Sequence, residues 1–153
     1  MYWKTPPRIK ILEALGAIAD GRVKIVSQNR AEVVGSDGKR KYEVRWDPAG
    51  NSISSTDNGS VYRGYLGYPA VAFLMTQGVL PYDAYLGSRL AGVPWRRLNE
   101  KYRDYELVMD EVLKDWSQKD RERLEKYVSW ILRMLKELNL KKLEERVTLA
   151  DFI

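Results

Sequence analysis

The chain has 153 residues, 26 Lys and Arg against 21 Asp and Glu for a net charge of +5, and neither cysteine nor histidine. A chain of that length can bury a core of its own, while the missing residue types exclude disulfides, thiol nucleophiles, Cys/His zinc sites, imidazole bases and the Ser-His-Asp triad. The basic excess is N-terminal: residues 1–63 carry 11 basic and 7 acidic side chains, whereas residues 101–153 carry 12 of each.

Pro6 and Pro7 suit only the start of a helix. Ile9, Leu12, Leu15 and Ile18 then recur along one helical face, and Asp20-Gly21 is a stop signal. Arg22 to Ser27 and Arg30 to Ser36 are predicted strands joined at Gln28-Asn29. Asp37-Gly38 predicts a type I′ hairpin turn with positive φ at both central positions. Tyr42, Val44 and Trp46 alternate with Glu43 and Arg45, the period of a half-buried strand. After a turn at Asp47-Pro48-Ala49-Gly50 come an extended piece from Ser52 to Thr56 and a polar loop from Asp57 to Ser60. An aromatic return through Val61, Tyr62 and Tyr65 follows, then an apolar helix opened by Pro69 and ending near Gly78. In the resulting meander Val23, Ile25, Val33, Tyr42, Val44 and Trp46 are predicted to face a core. Arg22, Lys24, Lys39, Lys41 and Arg45, with Glu32 and Glu43, alternate to the other side. That face is basic but interrupted, and serves either as an ordinary solvent face or as a phosphate-binding one.

The remainder is predicted helical. Pro81 to Ala91 is closed by Gly92, and Pro94 starts a helix running to about Arg103. From Asp104 to Trp116, Tyr105, Val108, Met109, Val112 and Trp116 share a stripe. Ser117 is an N-cap with Asp120 placed to complete a capping box. A long helix over Gln118 to Leu138 aligns Leu124, Tyr127, Val128, Ile131, Met134, Leu135 and Leu138, and leaves Trp130 and Leu132 off the seam for a second helix or a partner subunit. Leu140 to Arg146 is predicted to resume the helix after Asn139, before a short tail from Thr148 to Ile153. The sequence thus predicts an α+β protein with an N-terminal helix, an antiparallel meander of three or four strands, and a C-terminal helical half. Residues 1–78 form the first unit and residues 79–153 a helical extension packed on it.

From about Arg8 to Met75 this order resembles a SWIM-type zinc finger. In that family a helix and a basic hairpin lead to a Y-x-V strand, a Cys-x-Cys pair, a loop, and a Cys-x-His pair that opens a helix. Here the strand is Tyr42-Glu43-Val44, the first ligand pair reads Ile53-Ser54-Ser55, and the second reads Gly67-Tyr68-Pro69, followed by Ala70-Val71-Ala72-Phe73-Leu74. All four ligand positions, Ile53, Ser55, Gly67 and Pro69, lack a zinc-binding group. A structural zinc contributes about 10–16 kcal/mol to small fingers, so another device must close the unit. The candidates are a buried Ile53, Pro69 fixing the helix start, and the aromatic group Trp46, Tyr62, Tyr65 and Tyr68. The resemblance implies binding to nucleic acid or protein, no cofactor and no metal.

A second constellation spans Ala84 to Lys101, which can be laid on a helix-turn-helix pattern with Gly92-Val93 in the turn. Trp95, Arg96, Arg97 and Asn99 would then face outward for bases and phosphates. The alternative is a plain helical hairpin whose Trp95 packs inward. Asp104, Asp110, Glu111 and Asp115 read as a solvated helix face, and the hydroxyl run Ser52 to Asn58 has no neighbouring base to activate it. The expected function is therefore a non-enzymatic module that binds DNA or RNA through Arg22, Lys24, Lys39, Arg40, Lys41 and Arg45, with Trp95, Arg96 and Arg97 as a second surface. The rival is a protein-interaction subunit, or a homodimer, using Trp130 and Leu132. The many charges of both signs suit a thermophile, and the absence of a membrane-length apolar run or signal-like N-terminus makes the cytoplasm the expected compartment.

Overall fold

A computed structural model describes residues 1–144, so the tail from Thr148 lies outside the described residues. The elements in order are α1 (Ile9–Ala19), β1 (Val23–Ser27), β2 (Arg30–Val34), β3 (Lys41–Asp47), β4 (Ser52–Ser55), α2 (Tyr68–Thr76), α3 (Ala84–Leu90), α4 (Trp95–Tyr102), α5 (Tyr105–Leu113), α6 (Gln118–Leu138) and β5 (Lys141–Lys142). The fold is α+β, as its sequence predicts. Strands β1 to β4 form an antiparallel meander in chain order, and β5 adds a fifth strand parallel to β4. Residues 141–142 are therefore sheet, not the resumed helix that the sequence suggests. Asn139 ends α6 in the left-handed conformation, and the Lys141 N–H then donates to the Asn51 carbonyl.

α1 is buried on nearly all sides, with Ile9, Ile11, Leu12, Ala14, Leu15 and Ala17 in the core. It packs against α2 and α3, and α2 in turn lies on β1, β3 and β4. α2 is apolar all round for the same reason, with Val71, Phe73 and Leu74 wholly buried. Asp20, at the end of α1, accepts a hydrogen bond from the Gly92 N–H at 2.7 Å, which ties the turn after α3 to the central helix. Caps set the later helices: Asp83, Asp104 and Ser117 each accept from the first turn of α3, α5 and α6. Asp120 does not complete a box with Ser117. Its carboxylate accepts from the Tyr85 hydroxyl at 2.7 Å.

Three local expectations are corrected. The β2–β3 connection is not a type I′ turn: Gly38 has φ +75° but Asp37 does not adopt positive φ, and its carboxylate accepts from the Lys39 N–H at 2.9 Å. The loop spans residues 35–40, closed by the Gly35 N–H on the Arg40 carbonyl. Ile25 is 51% exposed, because β1 is an edge strand whose far half is not covered by a helix. Tyr62 is 81% exposed on a single π-helical turn over Gly59–Arg63 and closes nothing, whereas Trp46 and Tyr65 are buried and Tyr68 is half-buried.

Candidate functional site

On the outer face of the sheet, register decides the electrostatics. Glu32 lies opposite Glu43 and Arg30 opposite Arg45, so opposite charges meet on the diagonals. Glu43 takes Arg30 at 2.7 Å and Arg45 at 3.1 Å, and Glu32 takes Lys41 at 3.7 Å. Lys24, Lys41 and Arg45 are thus set among two carboxylates rather than in a continuous basic field. Arg22 is not on this face. Its Nη1 donates to the Val34 carbonyl at 2.7 Å and its Nε approaches Asp20 at 3.4 Å, because it precedes β1 and turns toward the end of α1.

The hairpin tip meets α4. The Arg96 N–H donates to Ser36 Oγ at 2.9 Å, and the Arg96 guanidinium reaches Asp37 at 3.5 Å and Glu100 at 3.2 Å. A shallow groove of 390 Å³ between them is lined by Asp37, Lys39, Arg40, Arg96, Arg97 and Glu100. Lys39, Arg40 and Arg97 are exposed. The backbone N–H of Lys39, then that of Arg40 and the Arg96 charge, hold the Asp37 carboxyl below its ordinary range. Two sets of cations distant in sequence therefore converge.

The inner face of α4 contradicts an outward-reading recognition helix. Trp95 is 3% exposed and lies against Gly16 of α1, where a Cβ would stand 2.9 Å from its Nε1. Asn99 also turns inward: its Nδ2 donates to Glu13 Oε1 at 2.9 Å. These two side chains fill the α1–α4 contact, which leaves Arg97 as the outward basic group of the pair Arg96-Arg97.

Beside that contact opens a cleft of 420 Å³ that the sequence does not announce. Lys10 and Glu13 of α1 form an ion pair of 3.1 Å at its wall, with Glu13 only 2% exposed. Burial works against the Lys10 ammonium, but Glu13, Tyr105 and Tyr65 more than offset it and its pKa is raised. Tyr42 and Tyr68 meet edge to face with ring centres 6.2 Å apart. Burial pushes the Tyr68 and Tyr65 phenols each up to about 12, Tyr65 helped by its contact with the Tyr105 hydroxyl. Arg63 and Arg103 add cations to the lining. Trp95 Nε1 and Asn99 Oδ1 are buried without a hydrogen-bond partner, while the Arg22 guanidinium stands within hydrogen-bonding reach of the Tyr68 hydroxyl. The only trace of this in sequence is Lys-x-x-Glu interrupting an otherwise apolar helix.

Of Ile53, Ser55, Gly67 and Pro69, the positions that the SWIM resemblance would give to ligands, Ser55 and Gly67 come together around one carboxylate. Asp57 accepts from Ser55 Oγ at 2.5 Å, Ser60 Oγ at 2.8 Å and the Ser60 N–H at 3.2 Å, and the Gly67 N–H donates to Ser60 Oγ at 3.0 Å. A Cβ on residue 67 would fall 1.8 Å from Asp57 Oδ2, so only glycine admits the carboxylate. Ile53 is wholly buried and Pro69 occupies the first turn of α2. On α6, Trp130 is 45% exposed, while Leu132 leans on the core instead of joining it at the surface.

Among the described residues, no helix is long and apolar enough to cross a membrane, and no cluster of His, Cys, Asp or Glu is arranged to hold a metal ion. The model of a family described as Uncharacterised conserved protein UCP014422 matches residues 3–141. Neither the curated proteins nor the solved structures give a match.

Proposed function

We propose that this chain, which belongs to the family whose model spans residues 3–141, is a non-enzymatic nucleic-acid-binding module. Its contact surface is the rim formed by Lys39 and Arg40 of the hairpin with Arg97 of α4, and not the open sheet. The observation that carries the reading is the Ser36–Arg96 junction, which places those cations around one groove. Phosphate binding needs several cations at backbone spacing. On the rim Arg96 takes up both carboxylates, Asp37 and Glu100, and leaves Lys39, Arg40 and Arg97 outside those ion pairs, whereas on the sheet face Glu32 and Glu43 engage Lys41, Arg30 and Arg45. The likeness to a SWIM finger fits the same reading. The Asp57 carboxylate, with its three hydrogen bonds at about 1.5–3 kcal/mol each, would then stand in for part of what a zinc ion contributes to closing the unit.

Titration of labelled single- and double-stranded DNA and RNA at several salt concentrations tests the proposal. Affinity should fall steeply with salt, with a slope that drops by about one for each rim cation removed. Absence of binding at low salt would overturn it. A second reading has its own observation, the exposed Trp130 on α6: self-association through that helix would give a dimer in sedimentation that Trp130→Glu abolishes.

A further inference from the structure

The cleft beside α4 is lined by donors that lack acceptors. Its three carboxylates are already engaged within the protein: Glu13 by Lys10 and Asn99, Asp57 by Ser55 and Ser60, and Glu100 by Arg96. Arg63 and Arg103, on the same lining, hold no ion pair and no side-chain hydrogen bond among the described residues. The Lys10 ammonium meets Glu13 Oε1 and Oε2 at 3.4 and 3.1 Å and stands 5.0 Å from the centre of the Tyr105 ring. With three N–H groups, it keeps one beyond those that Glu13 takes. Tyr65 and Tyr105 place their hydroxyls 3.5 Å apart, outside the usual O–H···O range of about 2.5–3.0 Å, so both can donate elsewhere.

Arg103 is also an unusual residue for its backbone. It ends α4 at φ +52°, in the left-handed region that favours glycine or asparagine. The other non-glycine residues at positive φ among the described residues, Asn51 and Asn139, are both asparagines. The turn from α4 into α5 needs a left-handed residue, but nothing in that turn needs a guanidinium. A strained position filled by an unpaired cation on a cleft wall points to a ligand that the cation meets.

We propose that this cleft binds a small phosphate monoester. A phosphate group brings three acceptor oxygens and close to two negative charges, whereas a carboxylate brings two oxygens and one charge and would leave more of these donors open. Arg63 and Arg103 take phosphate oxygens in charge-assisted hydrogen bonds, and the Lys10 ammonium with the Tyr65 and Tyr105 hydroxyls completes the set. The volume of 420 Å³ falls within the range of about 300–1,000 Å³ usual for small organic ligands, so the phosphate comes with an organic body. Trp95 Nε1 and Asn99 Oδ1 have no accessible surface and take no part.

The inference does not rest on the nucleic-acid reading, since neither Arg63 nor Arg103 lines the rim groove. The cleft and that groove share Arg96 and Glu100, so a phosphate of a strand held on the rim is a second source of the same group.

The test is calorimetric titration of the full chain with ribose 5-phosphate, ribose and succinate, followed by competition with a short single strand. Ribose 5-phosphate should bind, and ribose and succinate should bind at least about tenfold more weakly, as the loss of charge-assisted hydrogen bonds requires. Arg103→Gly should weaken ribose 5-phosphate by about tenfold or more while the thermal midpoint holds or rises, because glycine suits the left-handed backbone. A merely structural role for Arg103 would not separate the two readouts. Arg63→Ala, at an exposed position, should weaken the ester in the same way, and Arg97→Ala on the rim should change its affinity by less than about twofold. No binding of ribose 5-phosphate, equal binding of ribose or succinate, an affinity that survives Arg103→Gly, or an equal loss with Arg97→Ala would each overturn the inference. Displacement of the ester by the strand identifies a strand phosphate as the occupant; ester binding that the strand leaves intact identifies a free monoester, and both support the site. A strand that binds while the ester does not, with affinity unchanged by Arg103→Gly, would overturn the cleft assignment and leave the rim reading standing.

Discussion

Two buried polar clusters lie near one another in this molecule and differ in one respect. Around Asp57 the hydrogen bonds run from Ser55 and Ser60 to the carboxylate and from Gly67 to Ser60, and the group fits so closely that residue 67 has no room for a Cβ. Around Glu13 the carboxylate holds Lys10 and Asn99 Nδ2, yet Asn99 Oδ1 and the neighbouring Trp95 Nε1 find no partner. The first cluster is complete without a ligand and acts as a structural clasp. The second leaves buried polar atoms unsatisfied. Both carboxylates are buried, so satisfaction, not depth, separates the two clusters.

The sharpest way to break that comparison is at the clasp. Asp57→Ala leaves two serine hydroxyls and a backbone N–H without their acceptor and should cost about 3–5 kcal/mol, read as a fall in the urea midpoint. A loss below 1 kcal/mol would show that the clasp is dispensable. Next in size is a pH effect at the cleft. Tyr68 ionises near 10 when unfolded and near 12 when folded, so between those values the folded state holds the proton that the unfolded state has lost. Stability should therefore fall as pH rises from 10 to 12, by about 2–3 kcal/mol from this group, and Tyr68→Phe should remove that share of the loss.

Smaller again is the double change Lys10→Met with Glu13→Leu. Stability should fall by about 1–2 kcal/mol, because both buried charges leave together but Asn99 Nδ2 loses its acceptor. A loss as large as that of Asp57→Ala would make the two clusters equivalent. The smallest effect is expected on the sheet, where Lys41→Ala breaks a solvent-exposed contact with Glu32 of 3.7 Å and should change stability by less than about 0.5 kcal/mol.

Much of the fold is legible in sequence because its signals are local. Pro7 and Gly21 bracket α1, alternation sets β3, Pro69 opens α2, and Ser117 caps α6. What escapes depends on partners far along the chain. β5 exists because Asn51 offers a carbonyl to Lys141, and no local pattern of two lysines encodes that. Trp95 turns inward because Gly16 makes room for it 79 residues earlier. The cleft is hidden for the same reason: Lys10, Arg22, Tyr68 and Asn99 come from four separate elements or loops and share no spacing. The lone usable signal, Glu13 amid the apolar residues of α1, reads in isolation as a solvated helix position.

The account turns on where nucleic acid sits, and a paired charge reversal measures it most directly. Lys39→Glu with Arg97→Glu on the rim and Lys24→Glu with Lys41→Glu on the sheet change the net charge equally, so binding of one single strand to both variants at one salt concentration separates position from charge. The account predicts a loss of at least tenfold for the rim variant and less than threefold for the sheet variant. Equal losses, or a larger one on the sheet, would contradict it.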